Sequence, residues 1–277
     1  MEEELQAPAL AGKTLIASVS GGKDSTAMAL HFRELGISFT PVFLDTGWEH
    51  DLTYEYLVYL ESVIGPIVRV SAVRTMVELI RHKRMFPSRL KRYCTEELKV
   101  FPMRDFIAGL DGDAVNAVGI RAAESAERAK HPSTEWSDVL DCEVWRPILD
   151  WSLDDVVAIH ARHAVKPNPL YLLGATRVGC WPCIFARKSE VRMVAETDPA
   201  RVDLIEMLEA ELSEKAKAQR TFFTWKDHHH PDPKSPIRDF VNWTKTAHGG
   251  KEFEDYDPDA KAREGCMRWG MCATEPE

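Results

Sequence analysis

Seven consecutive residues have the types to grip a phosphate: Ser20-Gly21-Gly22-Lys23-Asp24-Ser25-Thr26. Gly21 and Gly22 let the backbone approach an anion with no Cβ in the way. Lys23 adds a mobile positive charge, and Ser20, Ser25 and Thr26 add hydroxyl donors. A second charged set lies in Gly119-Ile120-Arg121-Ala122-Ala123-Glu124-Ser125. Lys23 and Arg121 suit the neutralisation of charge on a transferring phosphoryl group. Asp24 and Glu124 could orient those cations or hold Mg²⁺, which prefers carboxylate and phosphate oxygens. Further along, Cys180-Trp181-Pro182-Cys183 forms a two-thiolate pincer, with Pro182 stiffening the turn. Such a pair fits zinc, an iron–sulfur cluster or redox exchange.

These residues need elements to position them. Residues 14–19 are apolar and β-prone and carry Ser18 near their end, while 24–35 read as helix. A strand, a glycine turn and a helix start therefore meet at Ser20, where helix N–H groups and the helix dipole favour an anion. The spacing is neither the Walker pattern nor the dinucleotide fingerprint. A second strand over 39–44 runs into Asp45-Thr46-Gly47, followed by a helix over 52–64. Further strands are predicted at 67–70 and 114–120. This alternation predicts an α/β fold with a doubly wound parallel sheet. Ligands of such sheets sit beyond the carboxyl ends of the strands. The ends at Ser20, Asp45 and Gly119 are therefore predicted to converge, with Ser18, Thr46 and Gly47 beside them and Asp45 contacting a sugar or a metal. After residue 184 strand signals fade, and 190–196, 202–217 and 237–246 read as helices. His228-His229-His230 reads as surface. The chain thus divides into 1–190 and a mostly helical or irregular part over 191–277.

The balance of 35 Lys and Arg against 44 Asp and Glu gives a net charge of −9, so general nucleic-acid binding is not implied. No apolar run is long enough for a membrane span, and Met1-Glu2-Glu3-Glu4 is no signal peptide. A cytoplasmic protein is the expectation. In that setting six cysteines point to metal or redox chemistry more than to disulfides. Cys142 is expected to be a buried free thiol. The stretch from Arg81 to Arg92, running on to Cys94, is strongly basic within an acidic chain and reads as a functional loop. It could grip a nucleotide, a sulfate or a nucleic-acid backbone.

Ser20–Ser25 resembles the signature loop of the N-type ATP pyrophosphatases, or PP-loop enzymes. Gly119–Ser125 matches the G-x-R-x-x-E-S stretch of the phosphoadenosine-phosphosulfate (PAPS) reductases and their relatives. Phe43-Leu44-Asp45-Thr46-Gly47 resembles their second strand end. Arg92-Tyr93-Cys94-Thr95 with Leu98, Lys99 and Pro102 resembles a further segment of theirs. So do Arg146–Ser152, Asn168-Pro169-Leu170-Tyr171 and Arg177–Cys183. The resemblance covers roughly residues 14–190, with its motifs in the family's order. It implies an adenine nucleotide α-hydrolase fold. It also implies ATP bound with Mg²⁺ and cleaved between the α- and β-phosphates. Cys94 stands where the resemblance puts a cluster cysteine. A four-cysteine iron–sulfur site, of the four-iron type, would join Cys94, Cys180 and Cys183 to one tail cysteine, Cys272 or Cys266. Cys272 is favoured because Gly270 lets the chain fold in closely. Zinc accepts the same ligands. Two features depart from the family. The Glu-Cys-Gly-[Leu/Ile]-His segment of the thioredoxin-linked reductases is absent, and Tyr93-Cys94 replaces a Cys-Cys pair. The expected reaction is therefore adenylylation of an acceptor and delivery of sulfur. A sulfur-donor or reductant protein would assist, and a nucleic-acid acceptor could bind at the Arg81–Arg92 stretch. The alternatives are reduction of PAPS or adenylylsulfate (APS) to sulfite, and a non-catalytic nucleotide-sensing subunit.

Overall fold

Successive strand residues point to opposite faces, and β1 (Thr14–Ser18) shows what that does here. Leu15 and Ala17 enter one apolar cluster, and Ile16 enters another on the opposite face. Both faces of the strand are buried, as a parallel sheet requires. The structure, a computed structural model, describes residues 8–223, 235–246 and Trp269. Within them β1 joins β2 (Thr40–Asp45), β3 (Val68–Ser71), β4 (Ala114–Val118), β5 (Thr134–Ser137) and β6 (Cys142–Trp145) in one sheet. The order is β3-β2-β1-β4-β6-β5. All neighbours are parallel except β5, which runs antiparallel to β6.

Helices α1 (Lys23–Glu34), α2 (Asp51–Ile64) and α6 (Leu153–Arg162) pack on the face that holds Leu15 and Ala17. Helix α5 (Phe101–Ala108) brings Met103 and Ile107 to the face that holds Ile16. Helix α3 (Met76–Lys83) starts at a capping box in which Thr75 and Glu78 satisfy each other's backbone N–H groups. The remaining helices are α4 (Tyr93–Thr95), α7 (Pro169–Leu172), α8 (Lys188–Thr197), α9 (Pro199–Ala216) and α10 (Ile237–Thr244). Between α4 and α5 the chain winds through a π turn at Glu96–Val100. Another cluster gathers Trp48, Met76, Leu79 and Ile80 with Ile205, Leu208, Leu212, Phe222 and Phe240. It joins residues from both sides of residue 190.

Expected and observed elements agree within a few residues for β1 to β4, α1, α2, α8, α9 and α10. The stretch from Arg81 to Cys94 is not one loop. Arg81 and Lys83 close the last turn of α3, and each pairs with an acid, Glu211 and Glu97 respectively. Only 84–92 is a connection, and Tyr93 already begins α4. The β5–β6 hairpin is a further addition. Its four-residue strands include polar Thr134, Glu135, Ser137 and Glu143, which hide the apolar pattern.

The strand order sets the place of the site. The chain leaves β1 for β2 and β3 on one side, then returns to β4 on the other. Between the carboxyl ends of β1 and β4 the sheet opens into a crevice, the place where such folds take ligands.

Candidate functional site

Gly22 is the N-cap of α1, and no side chain caps the helix there. The turn is tied internally instead. The Ser20 N–H donates to Ser25 Oγ at 3.1 Å, and Ser25 Oγ donates to the Gly22 carbonyl at 3.1 Å. Gly22 N–H reaches Ser20 Oγ at 3.4 Å. Gly21 holds a φ of +71°, and Gly119 packs so closely that a Cβ would lie 2.6 Å from Ser25 Cα. The β4 end therefore rests directly on the first turn of α1. Ser18 Oγ donates to Asn116 Oδ1 at 2.9 Å, linking β1 to β4.

The charges form a chain. Asp24 Oδ1 accepts from Arg121 Nε at 2.6 Å, and Asp24 Oδ2 lies 3.1 Å from Lys23 Nζ. Asp24 and Arg121 are both buried. Glu124 accepts from the Arg121 N–H at 3.0 Å and pairs with Arg128. Both acids thus act as partners of cations. Thr26 is wholly buried beneath the turn.

Asp45 takes a different place. Its Oδ1 accepts from Gly47 N–H at 2.9 Å and from the Tyr54 hydroxyl at 2.7 Å. Thr46 Oγ1 donates to buried Glu49 at 2.8 Å. These bonds shape the β2–α2 turn, so Asp45, Thr46 and Gly47 stand outside the cavity wall while the ends at Ser20 and Gly119 meet on it.

That cavity measures about 500 Å³ and runs from the phosphate turn to three thiols. Ser18, Ser20, Gly22, Asp24, Ser25, Gly119 and Glu124 line it, as do Cys94, Cys180 and Cys183. Lys23 and Arg121 do not line it, and both pair with Asp24, which does. The Cys180–Cys183 turn is held by Trp48, which accepts the Trp181 N–H at 2.9 Å and donates its indole N–H to the Pro182 carbonyl at 3.0 Å. From the other side, the Trp181 indole donates to Asp198 at 3.1 Å. Burial pushes the Cys94 and Cys180 thiols up, the latter against the pull of Lys99. Negative charge at Cys180, with Glu49 adding to it, holds the half-buried Lys99 ammonium above the ordinary lysine range. Among the described residues no group of three or more His, Cys, Asp or Glu side chains could hold a metal ion. Cys266, Cys272 and His228-His229-His230 lie outside the described residues. Cys142 is a buried free thiol in the sheet core, as expected. Trp269 lies against the His160 ring at 5.0 Å and the Tyr171 ring at 6.0 Å.

At the mouth, the Arg89 and Arg92 guanidinium groups sit 5.7 and 5.1 Å from the Phe185 ring. Sequence reasoning assigned no role to Lys99, Arg128 or Tyr171, all of which line the cavity, as does Arg92 from the basic stretch. Lys99 and Tyr171 did stand in the motifs quoted above. That was the one available signal.

Residues 14–186 match the family model described as the phosphoadenosine phosphosulfate reductase domain. The chain belongs to this family. As a PAPS reductase family member it is a nucleotide-binding enzyme of sulfur-related chemistry. An uncharacterized 37.8 kDa protein of Escherichia phage 186 is 34% identical, over 86% of this chain and 90% of that protein. An adenosine 5'-phosphosulfate reductase of Streptomyces coelicolor is 31% identical, over 58% of this chain and 64% of that enzyme. A Methanocaldococcus jannaschii protein is 28% identical, and the chain spans only 43% of its length. A crystal structure of phosphoadenylyl-sulfate reductase from Candida auris, a phosphate complex, has the same fold. Its TM-score is 0.50 at 18% identity, over 63% of this chain and 85% of that one. No helix of the described residues is long and apolar enough to cross a membrane.

Proposed function

We propose that this family member binds ATP with Mg²⁺ at the Ser20–Ser25 turn and adenylylates an acceptor that then receives sulfur. The observation that carries the reading is the single cavity lined by both the phosphate turn and the thiols of Cys94, Cys180 and Cys183. Phosphates would rest on the α1 amides and on the hydroxyls of Ser20 and Ser25. Lys23 and Arg121, held by Asp24, supply positive charge beside them. An acceptor oxygen attacks the α-phosphorus and gives up its proton. The bond from that phosphorus to the bridging oxygen breaks, and pyrophosphate leaves with the electron pair. A sulfur nucleophile can then displace AMP from the activated atom.

The three thiols are of the right chemistry for thiolate ligation of an iron–sulfur cluster, with Cys272 or Cys266 as the fourth donor. Zinc would take the same donors. A bound cluster would supply or relay sulfur or electrons to the neighbouring nucleotide. A sulfur-donor or reductant protein would recharge the site. Exposed Arg84, Arg89, Lys91 and Arg92 suit a nucleic-acid acceptor at the mouth.

The second reading is reduction of APS or PAPS to sulfite. It is favoured by the Streptomyces coelicolor relative, an adenosine 5'-phosphosulfate reductase. Anaerobically purified protein, assayed side by side, separates the two. Pyrophosphate release from ATP supports the first, and sulfite release from APS or PAPS supports the second. Neither product would leave a nucleotide-sensing subunit.

A further inference from the structure

Helix α7 is one turn long, yet it is fastened onto the phosphate turn. Asn168 Oδ1 accepts the Leu170 N–H at 3.0 Å and caps the helix, while Asn168 Nδ2 donates to the Gly21 carbonyl at 3.2 Å. This fastening brings the Tyr171 hydroxyl over the start of α1. There it accepts the Lys23 N–H at 3.0 Å. The Val178 backbone engages the same oxygen. A Cβ on Gly22 would stand 3.4 Å from it. The ring is buried, with Lys23 Nζ 5.2 Å from its centre on the way to the Thr176 carbonyl.

A phenol oxygen that accepts backbone N–H groups turns its own proton elsewhere. Among the described residues no hydrogen bond takes that proton, and Tyr171 lines the cavity. Burial pushes the phenol well above its ordinary value, so the proton stays in place near neutrality. We propose that Tyr171 is a direct phosphate ligand, its hydroxyl bonded to the Lys23 amide and donating to a non-bridging phosphate oxygen of the nucleotide. This rests on the nucleotide-binding reading above and adds a third hydroxyl to those of Ser20 and Ser25. Sequence motifs cannot supply it, because residues 23 and 171 meet only in the folded chain.

The test is calorimetric titration of wild type and Tyr171→Phe with ATP, inorganic pyrophosphate and adenosine, each at matched ionic strength. A hydrogen bond to a charged phosphate supports a loss of about tenfold or more in affinity. ATP and pyrophosphate should both weaken by that factor, and adenosine should bind as before. Equal binding of all three by wild type and variant overturns the proposal. So does a parallel loss of all three, which would mark a purely structural role. A thermal midpoint near wild type checks that the variant folds. The outcome is separable from the functional reading. An enzyme that releases no pyrophosphate from ATP can still lose pyrophosphate affinity on Tyr171→Phe.

Discussion

Asp24 is the residue on which the site's charge depends. It faces the cavity, yet Arg121 and Lys23 both hold it from behind. Lys23→Ala should remove nucleotide turnover by about 10²–10³ while the fold persists, since a placed cation acts on the developing charge. Unchanged turnover in that variant would break the assignment of the phosphate turn. Arg121→Ala should do more harm than Arg162→Ala, for a reason of burial. Arg162 makes an exposed pair with Glu34 at 2.9 Å, of a kind worth about 0–1 kcal/mol. Removing Arg121 leaves buried Asp24 with Lys23 alone, and breaking a buried pair costs roughly 3–5 kcal/mol. Urea midpoints and turnover of the two variants, measured together, check the order. At this scale the phosphate turn was legible because its residues are contiguous. The meeting of Lys99 with Cys180, and of Tyr171 with Lys23, was not. Such contacts depend on which atoms tertiary packing brings together, and no local pattern encodes them.

Among elements, α9 carries a titrating clamp. Glu209 is buried and accepts the N–H groups of Phe222 and Ile237, each at 2.8 Å. It thereby ties α10 and the 221–223 segment to α9. Burial pushes its carboxyl from 4.5 up to about 7, and Glu206 and Asp239 repel the charged form further. A raised carboxyl means that folding takes up a proton. This contribution is full below about pH 4.5 and is lost as pH rises through about 7. The shift corresponds to roughly 3 kcal/mol. Stability measured by denaturant should therefore fall across that window, and Glu209→Gln should flatten the fall. A slope that survives the substitution would assign it to another group. A second element-scale effect concerns the β4 end. Gly119→Ala should destabilise by about 1–3 kcal/mol through overpacking, because its Cβ meets backbone and not a flexible side chain. Four of the five parallel strands, β1 to β4, were readable from strand–helix alternation. The hairpin of β5 and β6 was not, because its strands are short and partly polar. Neither was the π turn at Glu96–Val100, because no residue type marks one.

Cys94 from α4 and Cys180 and Cys183 from one turn reach a single cavity, while Cys142 is buried in the core. On the proposed cluster reading, anaerobic protein with Cys183→Ser should lose iron and sulfide, and Cys142→Ser should keep them. Cys266→Ser and Cys272→Ser, compared side by side, should name the fourth ligand. Full metal content in both would rule out a tail ligand. The shared cluster of Trp48, α3, α9 and α10 argues that residues beyond 190 are needed for a folded product. The family's fold was evident in the sequence because its motifs follow the strand ends in order. The packing of the C-terminal helices onto α3 carries no such motif. Trp269 extends this to practical handling. Its ring lies against those of His160 and Tyr171, and Tyr171 lines the cavity. Thr14, by contrast, opens β1 at the far edge of the sheet from the strand ends that hold the turn. A purification tag at the amino terminus should leave nucleotide affinity alone. A chain shortened before Trp269 should lose the ring contacts to His160 and Tyr171 and so disturb nucleotide affinity.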